Sequence, residues 1–322
     1  MNKFNLTAVM CHFVGDPIFP GLKTLPLADF KARLRHLETN YHMISWNDLS
    51  DFILRKRPLP PDSCVLTFDD GTKDHFDIVL PELHFRKIPA IFFVMGRQPG
   101  DGVAMVHKVQ ILTAKLGEAE FQSAFFEMCS DATRDLFLKK EKECLVEFPT
   151  SKHDSLKFRT FKRVIGRYMF DEAKPYLETL FLEQIGQEKE WGEKLYLSDS
   201  DLVKMREKGF HIGGHGVNHR WMSSLGAEEQ KKEVEASASR LQKLGDGPWA
   251  FSYPYGDYSG SLPEILQKNN FISAFTIKEK TEHDDFFAIG RFDTNSIKKE
   301  KIYCHCVRTS FSHFKRIGRS LY

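Results

Sequence analysis

With 322 residues, 41% of them hydrophobic and 28% charged, the chain can bury one large core, which excludes a disordered or low-complexity protein. The 46 Lys and Arg against 44 Asp and Glu leave a net charge of +2, and no nucleic-acid partner is expected. The charge is uneven, because residues 298–322 carry seven Lys or Arg against Glu300 alone. Such a tail suits peripheral contact with a membrane face or with phosphates on a substrate, although a solvated helical tail is the plainer reading. The opening "MNKFNLTAVMCHFVGD" has no apolar stretch of signal-peptide length, and no run reaches the length of a membrane span. Six cysteines (11, 64, 129, 144, 304, 306) form no CxxC pair or disulfide-like framework, and Cys304-His305-Cys306 is too tight for ordinary zinc spacing. Together these point to the cytoplasm.

In chain order, "LTAVMCH" (6–12) reads as a buried strand, and Leu27, Phe30, Leu34 and Leu37 repeat at helical spacing, as do Leu49, Phe52 and Ile53. Strand 64–68 precedes a helix marked by Phe76, Val79, Leu80 and Leu83, then the strand "AIFFVM" (90–95). From 98 to about 196 strand signals are scarce and Lys, Glu, Phe and Leu dominate, which reads as a helical insertion, a cap or side subdomain. The alternation resumes with the helix "SDSDLVKMREKG", the strand "FHIGG", a helix through Val234, Ala238 and Leu241 stopped at Gly245, and the strands "WAFSYPYG", "ISAFTI" and "FFAIGRF". The expected division is therefore 1–97 and 197–297 as two parts of one α/β unit, 98–196 as insertion and 298–322 as basic tail. Repeated β–α units argue for an α/β barrel or a doubly wound sheet.

Three motifs carry chemistry. In "VLTFDDGTKD" (65–74) an apolar strand stops at Asp69-Asp70, where a turning backbone lets adjacent carboxylates reach one point from different angles. One can bind a cation while the other stays free to take a proton from water; a lone Asp-Asp-Gly is otherwise an ordinary turn. In "HIGGHGVNH" (211–219), His215 and His219 are spaced i, i+4, so one helical turn puts both imidazoles on one side. Two imidazoles and a carboxylate make a three-ligand divalent site with a position left for water, and Gly216, where a zinc protease has glutamate, requires the base to come from elsewhere. In "FSYPYG" (251–256), Pro254 and Gly256 hold the Tyr255 backbone N–H as a fixed donor suited to an oxyanion. Asp69, Asp70, His215, Tyr255, His12 and Arg291 all fall at or just past the C-terminal end of an expected strand, the edge where parallel barrels assemble their sites.

"LTFDDG", "HGVNH" and "FSYPYG", in this order, resemble the polysaccharide deacetylases (carbohydrate esterase family 4, the NodB-homology domain). The intervening "LPPDSCVLTFDDG", "LPELHFRKIPAIFFV", "LSDSDLVKMREKGFHIGGHG" and "GPWAFSYPYG" share the family's texture, so the resemblance covers about 1–97 and 197–295 and fails over the insertion. It implies a distorted (β/α) barrel with a mainly helical insertion. It also implies Asp69 as general base, Asp70, His215 and His219 as metal ligands, and the Tyr255 N–H in the oxyanion hole. The family's later Leu-x-His acid has no convincing counterpart after residue 256. The opening "AVMCHFVGD" instead resembles the circularly permuted branch acting on poly-N-acetylglucosamine, which implies His12 as general acid, with Cys11 where tyrosine is usual. Ser252 stands where many members have a base-orienting arginine, and Arg291 is the candidate replacement; a structural ion pair with Asp293 or another acid is its alternative.

The activity so implied is metal-assisted removal of an N-acetyl group from an amino sugar, nucleotide- or lipid-linked in a surface-polysaccharide precursor, or in a glycan. The donor set favours zinc, with cobalt, nickel or manganese able to substitute. The competing readings are a related hydrolase of another C–N bond or an O-acetyl ester, and a metal-retaining but inactive carbohydrate binder. Retention of Asp69 favours the enzymes, because a binder needs no free base.

Overall fold

The computed structural model describes residues 6–144, 154–277 and 285–294. The basic tail at 298–322, with Cys304 and Cys306, lies outside the described residues, as does the contact expected of it.

β1 (Leu6–Cys11) is followed by α1 (Leu27–Asn40), β2 (His42–Met43), α2 (Trp46–Arg55) and β3 (Ser63–Phe68). A π-helical turn at His75–Val79 leads into α3 (Leu80–Arg86) and then β4 (Ile91–Val94). Next come α4 (Met105–Leu116), α5 (Glu118–Met128), α6 (Asp131–Cys144), α7 (Leu156–Arg163), α8 (Phe170–Gln184) and α9 (Glu188–Leu195). The strand–helix alternation returns with α10 (Asp199–Glu207), β5 (His211–Gly214), α11 (Ala227–Gln242), β6 (Trp249–Ser252), α12 (Leu262–Lys268), β7 (Phe271–Phe275) and β8 (Phe292–Asp293). α2 and α10 open on capping boxes, in which Ser45 and Ser198 exchange hydrogen bonds with Asp48 and Asp201.

The strands pair in parallel in the order β7-β6-β5-β4-β3-β1-β8, with β2 beside the start of β3. β1 and β3 run in register from Leu6↔Ser63 to Cys11↔Phe68. The sheet curls until its edges are linked: Ile289 bridges Phe275 of β7, and a few residues on, Phe292 and Asp293 pair with Val9 and Met10 of β1. This is a distorted parallel β/α barrel. Both faces are buried, as parallel sheets require. Ala8, Val65, Ile91, Phe93, Ala250 and Phe275 form one core with Ile289, while Val9, Leu66, Phe92, Ile212 and Phe251 pack under Phe30, Leu83 and Val234 of the helices. Gly213 in β5 is required by this closeness, since a Cβ there would lie 2.6 Å from the Ala250 carbonyl oxygen.

One local expectation needs correction, and two short elements went unread. The strand over "FFAIGRF" shrinks to the Ile289 bridge and β8, because Phe286 and Phe287 form a turn. α12 and β2 were not legible as separate elements, being only seven and two residues long.

α4–α9 bury an apolar cluster distinct from the sheet's, rich in phenylalanine: Phe121, Phe125, Phe158, Phe161 and Phe181 lie at its centre. Phe13 and Leu22, from the segment after β1, join it and tie these helices to the barrel. No helix among the described residues is long and apolar enough to cross a membrane.

His211 at the start of β5 stacks on Trp46 at 4.5 Å, lies 5.9 Å from Trp249, and has a buried Nε2 with no hydrogen-bond partner among the described residues. Burial, assisted by the positive charge of Arg206, pushes its pKa down to about 3. The unfolded chain therefore binds this proton first on acidification. The associated stability is complete above the ordinary value of 6.5 and is lost as the pH falls from there toward 3. Thermal unfolding should show a falling midpoint below pH 6.5, with His211 contributing at most ~1.4 kcal/mol per pH unit. His211→Phe should flatten that slope; an unchanged slope would remove His211 as its source.

Candidate active site and metal centre

Because the strands are parallel, their C-terminal ends share one edge, and the site is assembled there. Asp69 and Asp70 follow β3, His215 follows β5, Ser252 ends β6, and His12 follows β1. Arg291 is the exception: it precedes β8 and reaches the site from the segment that closes the barrel.

Asp70 lies with Oδ1 3.3 Å from His215 Nε2 and 3.4 Å from His219 Nε2. Ligand atoms of all three residues lie within 4.8 Å of one another, and all three residues are buried. The His215 Nδ1–H donates to the Ser252 carbonyl at 2.7 Å, which leaves Nε2 with its lone pair facing Asp70. Asp70 Oδ1 and His215 Nε2 are nonetheless buried without hydrogen-bond partners among the described residues. Orphaned acceptors converging at this spacing fit a divalent cation held by two imidazoles and a carboxylate. Bonds of ~2.1 Å at tetrahedral angles place ligand atoms about 3.4 Å apart.

The two histidines do not share a helical turn, contrary to the spacing argument. Residues 215–221 form a loop in which Gly216 (φ 62°) and His219 (φ 53°) take left-handed conformations. Glu233 of α11 fixes this loop by accepting from the Val217 and Asn218 backbone N–H groups at 2.6 and 3.2 Å. Asp70 (φ 78°) and Tyr255 (φ 58°) are left-handed too. Such strain in three non-glycine residues is characteristic of a site held by its surroundings.

Asp69 is gripped by Arg291 through two parallel bonds of 2.7 Å, Nη1 to Oδ1 and Nη2 to Oδ2. Ser252 Oγ donates to Asp69 at 3.1 Å and accepts from Arg291 at 2.9 Å. The remaining guanidinium donors reach Thr67 Oγ1 and the Thr276 carbonyl. Burial alone would raise the Asp69 pKa, but Arg291, with His215 and His12, outweighs it and brings the carboxyl down to about 2. For Asp70 too, burial is overcome, by the hydrogen bond from His107 and the nearness of the His215 and His219 imidazoles, and the carboxyl is held well below its ordinary range. His12 follows Cys11, whose ladder partner Phe68 directly precedes Asp69, so His12 sits across from the carboxylate pair. Burial pushes the Cys11 thiol up to about 12, and this sulfur is not a nucleophile. Tyr255 lays its ring on Trp221, 4.2 Å between centroids and 6° from parallel, and stands nearly perpendicular to the His219 ring with centroids 4.5 Å apart.

His107 in α4 was given no role by the sequence, since one histidine on an apolar helix face carries no signal. Tyr196 oxygen accepts from the Ala104 backbone N–H at 3.0 Å, leaving its hydroxyl hydrogen for His107 Nδ1 at 2.6 Å. The network therefore assigns the proton to His107 Nε2, which donates to Asp70 Oδ2 at 3.2 Å. The second oxygen of Asp70 is thereby tied to α4. His107→Ala should weaken zinc binding about 10- to 100-fold, measured by competition with a chromophoric chelator. Unchanged affinity would reduce His107 to a packing residue.

A β/α barrel with a buried Asp-His-His cluster and a second carboxylate beside it belongs to a class of barrel hydrolases. The polysaccharide deacetylase family model matches residues 56–119 and 172–273, just over half of the chain, and the chain belongs to this family. Of the expected catalytic and metal-binding residues, His12 and Arg291 fall outside the matched segments. Among solved structures the fold is similar to a Streptococcus pyogenes deacetylase, PplD, in complex with acetate. The TM-score is 0.55 and identity 14%, covering 93% of this chain and 96% of the other. It is similar also to a de-N-acetylase from Aggregatibacter actinomycetemcomitans (TM-score 0.54, identity 13%, coverage 93% and 98%). IcaB from Ammonifex degensii aligns with TM-score 0.54 at 16% identity, over 94% of this chain and 96% of that one. At these identities the likeness is one of fold. No curated protein matches the chain in sequence.

Proposed function

We propose that the chain is a metal-dependent de-N-acetylase of an N-acetylated amino sugar. The observation that carries this reading is the convergence of Asp70, His215 and His219 on one point, beside a second carboxylate that Arg291 holds ionised. Asp70, His215 and His219 would hold the cation, zinc first among candidates. When bound, it supplies a Lewis acid that polarises the amide carbonyl and acidifies the attacking water.

The protein residues divide the remaining work. Asp69 accepts the proton of the attacking water, and the bidentate Arg291 clamp keeps it unprotonated and aimed. Tyr255 offers its backbone N–H to the developing oxyanion, its left-handed conformation following directly on Pro254. His12 donates a proton to the departing nitrogen as the C–N bond breaks, giving free amine and acetate. This role for His12, as in the circularly permuted branch, is supported by its position across from Asp69 at the end of β1. The six-helix segment serves as the cap in this reading, because His107 joins it to Asp70.

Acetate release is the decisive measurement. The zinc-reconstituted chain should release acetate from N-acetylated amino sugars and not from O-acetylated sugars of matched structure. Zinc bound at one equivalent with no acetate from either set would turn the reading to a carbohydrate binder.

A further inference from the structure

A cavity of about 350 Å³ opens beside the site, between the insertion and the barrel. Its floor is the Trp221–Tyr255 stack, whose Tyr255 ring meets His219. Met105 and Val106, which precede the Asp70 partner His107 on α4, also line it. Two separate chain segments thus connect the cavity to the metal centre. Its opposite wall is α7, which presents Arg159, Lys162 and Arg163.

That wall is built for an anion. Arg159 and Arg163 are one helical turn apart on α7, so both face the cavity. Asp154, the one carboxylate on the lining, is engaged by Lys162 at 2.5 Å and Lys23 at 3.3 Å. Arg159 Nε and Nη1 are buried with no hydrogen-bond partner among the described residues. Gln110, also on the lining, has a buried terminal oxygen in the same condition, and its amide can present nitrogen instead after rotation. Arg163 packs its guanidinium over Trp221 at 4.8 Å, which brings positive charge to the aromatic floor. A fork of guanidinium donors above a flat aromatic surface matches a phosphate attached to a sugar ring.

We infer that this cavity binds the phosphate of a glycosyl phosphate or pyrophosphate, so that the amino sugar is deacetylated while still carried on phosphate. The inference rests on the deacetylase reading for its chemistry, but the anion site stands on Arg159 and the cavity independently. Arg159, with Arg163 and Gln110, would set specificity rather than catalyse.

The test uses the full zinc-reconstituted chain and four probes: N-acetylglucosamine 1-phosphate, its nucleoside-diphosphate form, a short-prenyl pyrophosphate form, and the uncharged methyl glycoside. The phosphorylated probes should show kcat/KM about 10- to 100-fold above the methyl glycoside, mostly through KM. Arg159→Gln should collapse that ratio toward one, and Arg159→Lys, which keeps the charge but loses the fork, should fall between. A preference for the nucleotide or the prenyl probe supports the inference in either case and identifies the group carried beyond the phosphate. Binding is read separately by quenching of Trp221 fluorescence, with Trp221→Phe as control. Equal turnover of the methyl glycoside overturns the anion site and leaves deacetylation standing. Arg159-dependent binding of the phosphorylated probes with no acetate released overturns deacetylation and leaves the anion site standing.

Discussion

Asp69→Asn should lower kcat for acetate release by about 10³-fold while the chain still binds one equivalent of zinc. The amide occupies the same space but cannot take a proton from water, and Asp70, His215 and His219, the residues proposed to hold the cation, are untouched. The same substitution removes the negative partner of Arg291, which is 1% exposed. An uncompensated buried guanidinium costs about 3–5 kcal/mol, so the variant should also unfold at a lower temperature. Arg291→Ala tests the other half of the pair. Burial then acts on Asp69 without its main opposing charge, and the carboxyl should titrate upward while zinc binding persists. Retention of near-native kcat by Asp69→Asn would dismiss it as the base.

The second large effect is expected at the cation site. His215→Ala removes a ligand and also the bond to the Ser252 carbonyl that orients it. Loss of the Lewis acid forfeits several kcal/mol of transition-state stabilisation, so activity should fall by about 10³-fold or more. The native chain, stripped with dipicolinate, should lose activity equally and regain it with zinc or cobalt. Thermal unfolding supplies a readout free of catalysis. Zinc at about 1,000 times its dissociation constant should stabilise the native chain by ~4 kcal/mol and the His215→Ala chain by far less. A variant stabilised as strongly as the native chain would place the ion elsewhere.

His107 differs from these two in kind. It donates to Asp70 without converging on the cation point, so its loss should move affinity more than the rate at saturating zinc. The helix it rides on is secured by the phenylalanine cluster, and Phe13 from the β1 loop meets the His107 ring edge-on at 5.6 Å. The helices α4–α9 thus contribute to the site through a positioning bond from α4 and, through α7, through the wall of the neighbouring cavity.

Local signals reached far into this protein. The alternation of apolar strands and amphipathic helices, the Asp69-Asp70-Gly71 stop, the paired histidines and the Pro254–Gly256 turn are short-range patterns, and physics acts on them within a few residues. The parallel α/β alternation and the candidate cluster were legible for that reason, while the choice of a barrel over a doubly wound sheet came with the family resemblance. Helical reasoning about His215 and His219 failed because Glu233, from the following helix α11, holds the intervening residues in a loop. His107 meets Asp70 across 37 residues, and Arg291 meets Asp69 across 222. No spacing rule predicts such encounters. They exist because the curled sheet brings its edges together and α4 packs against the strand ends, and the energy of those contacts belongs to the closed chain rather than to any segment of it.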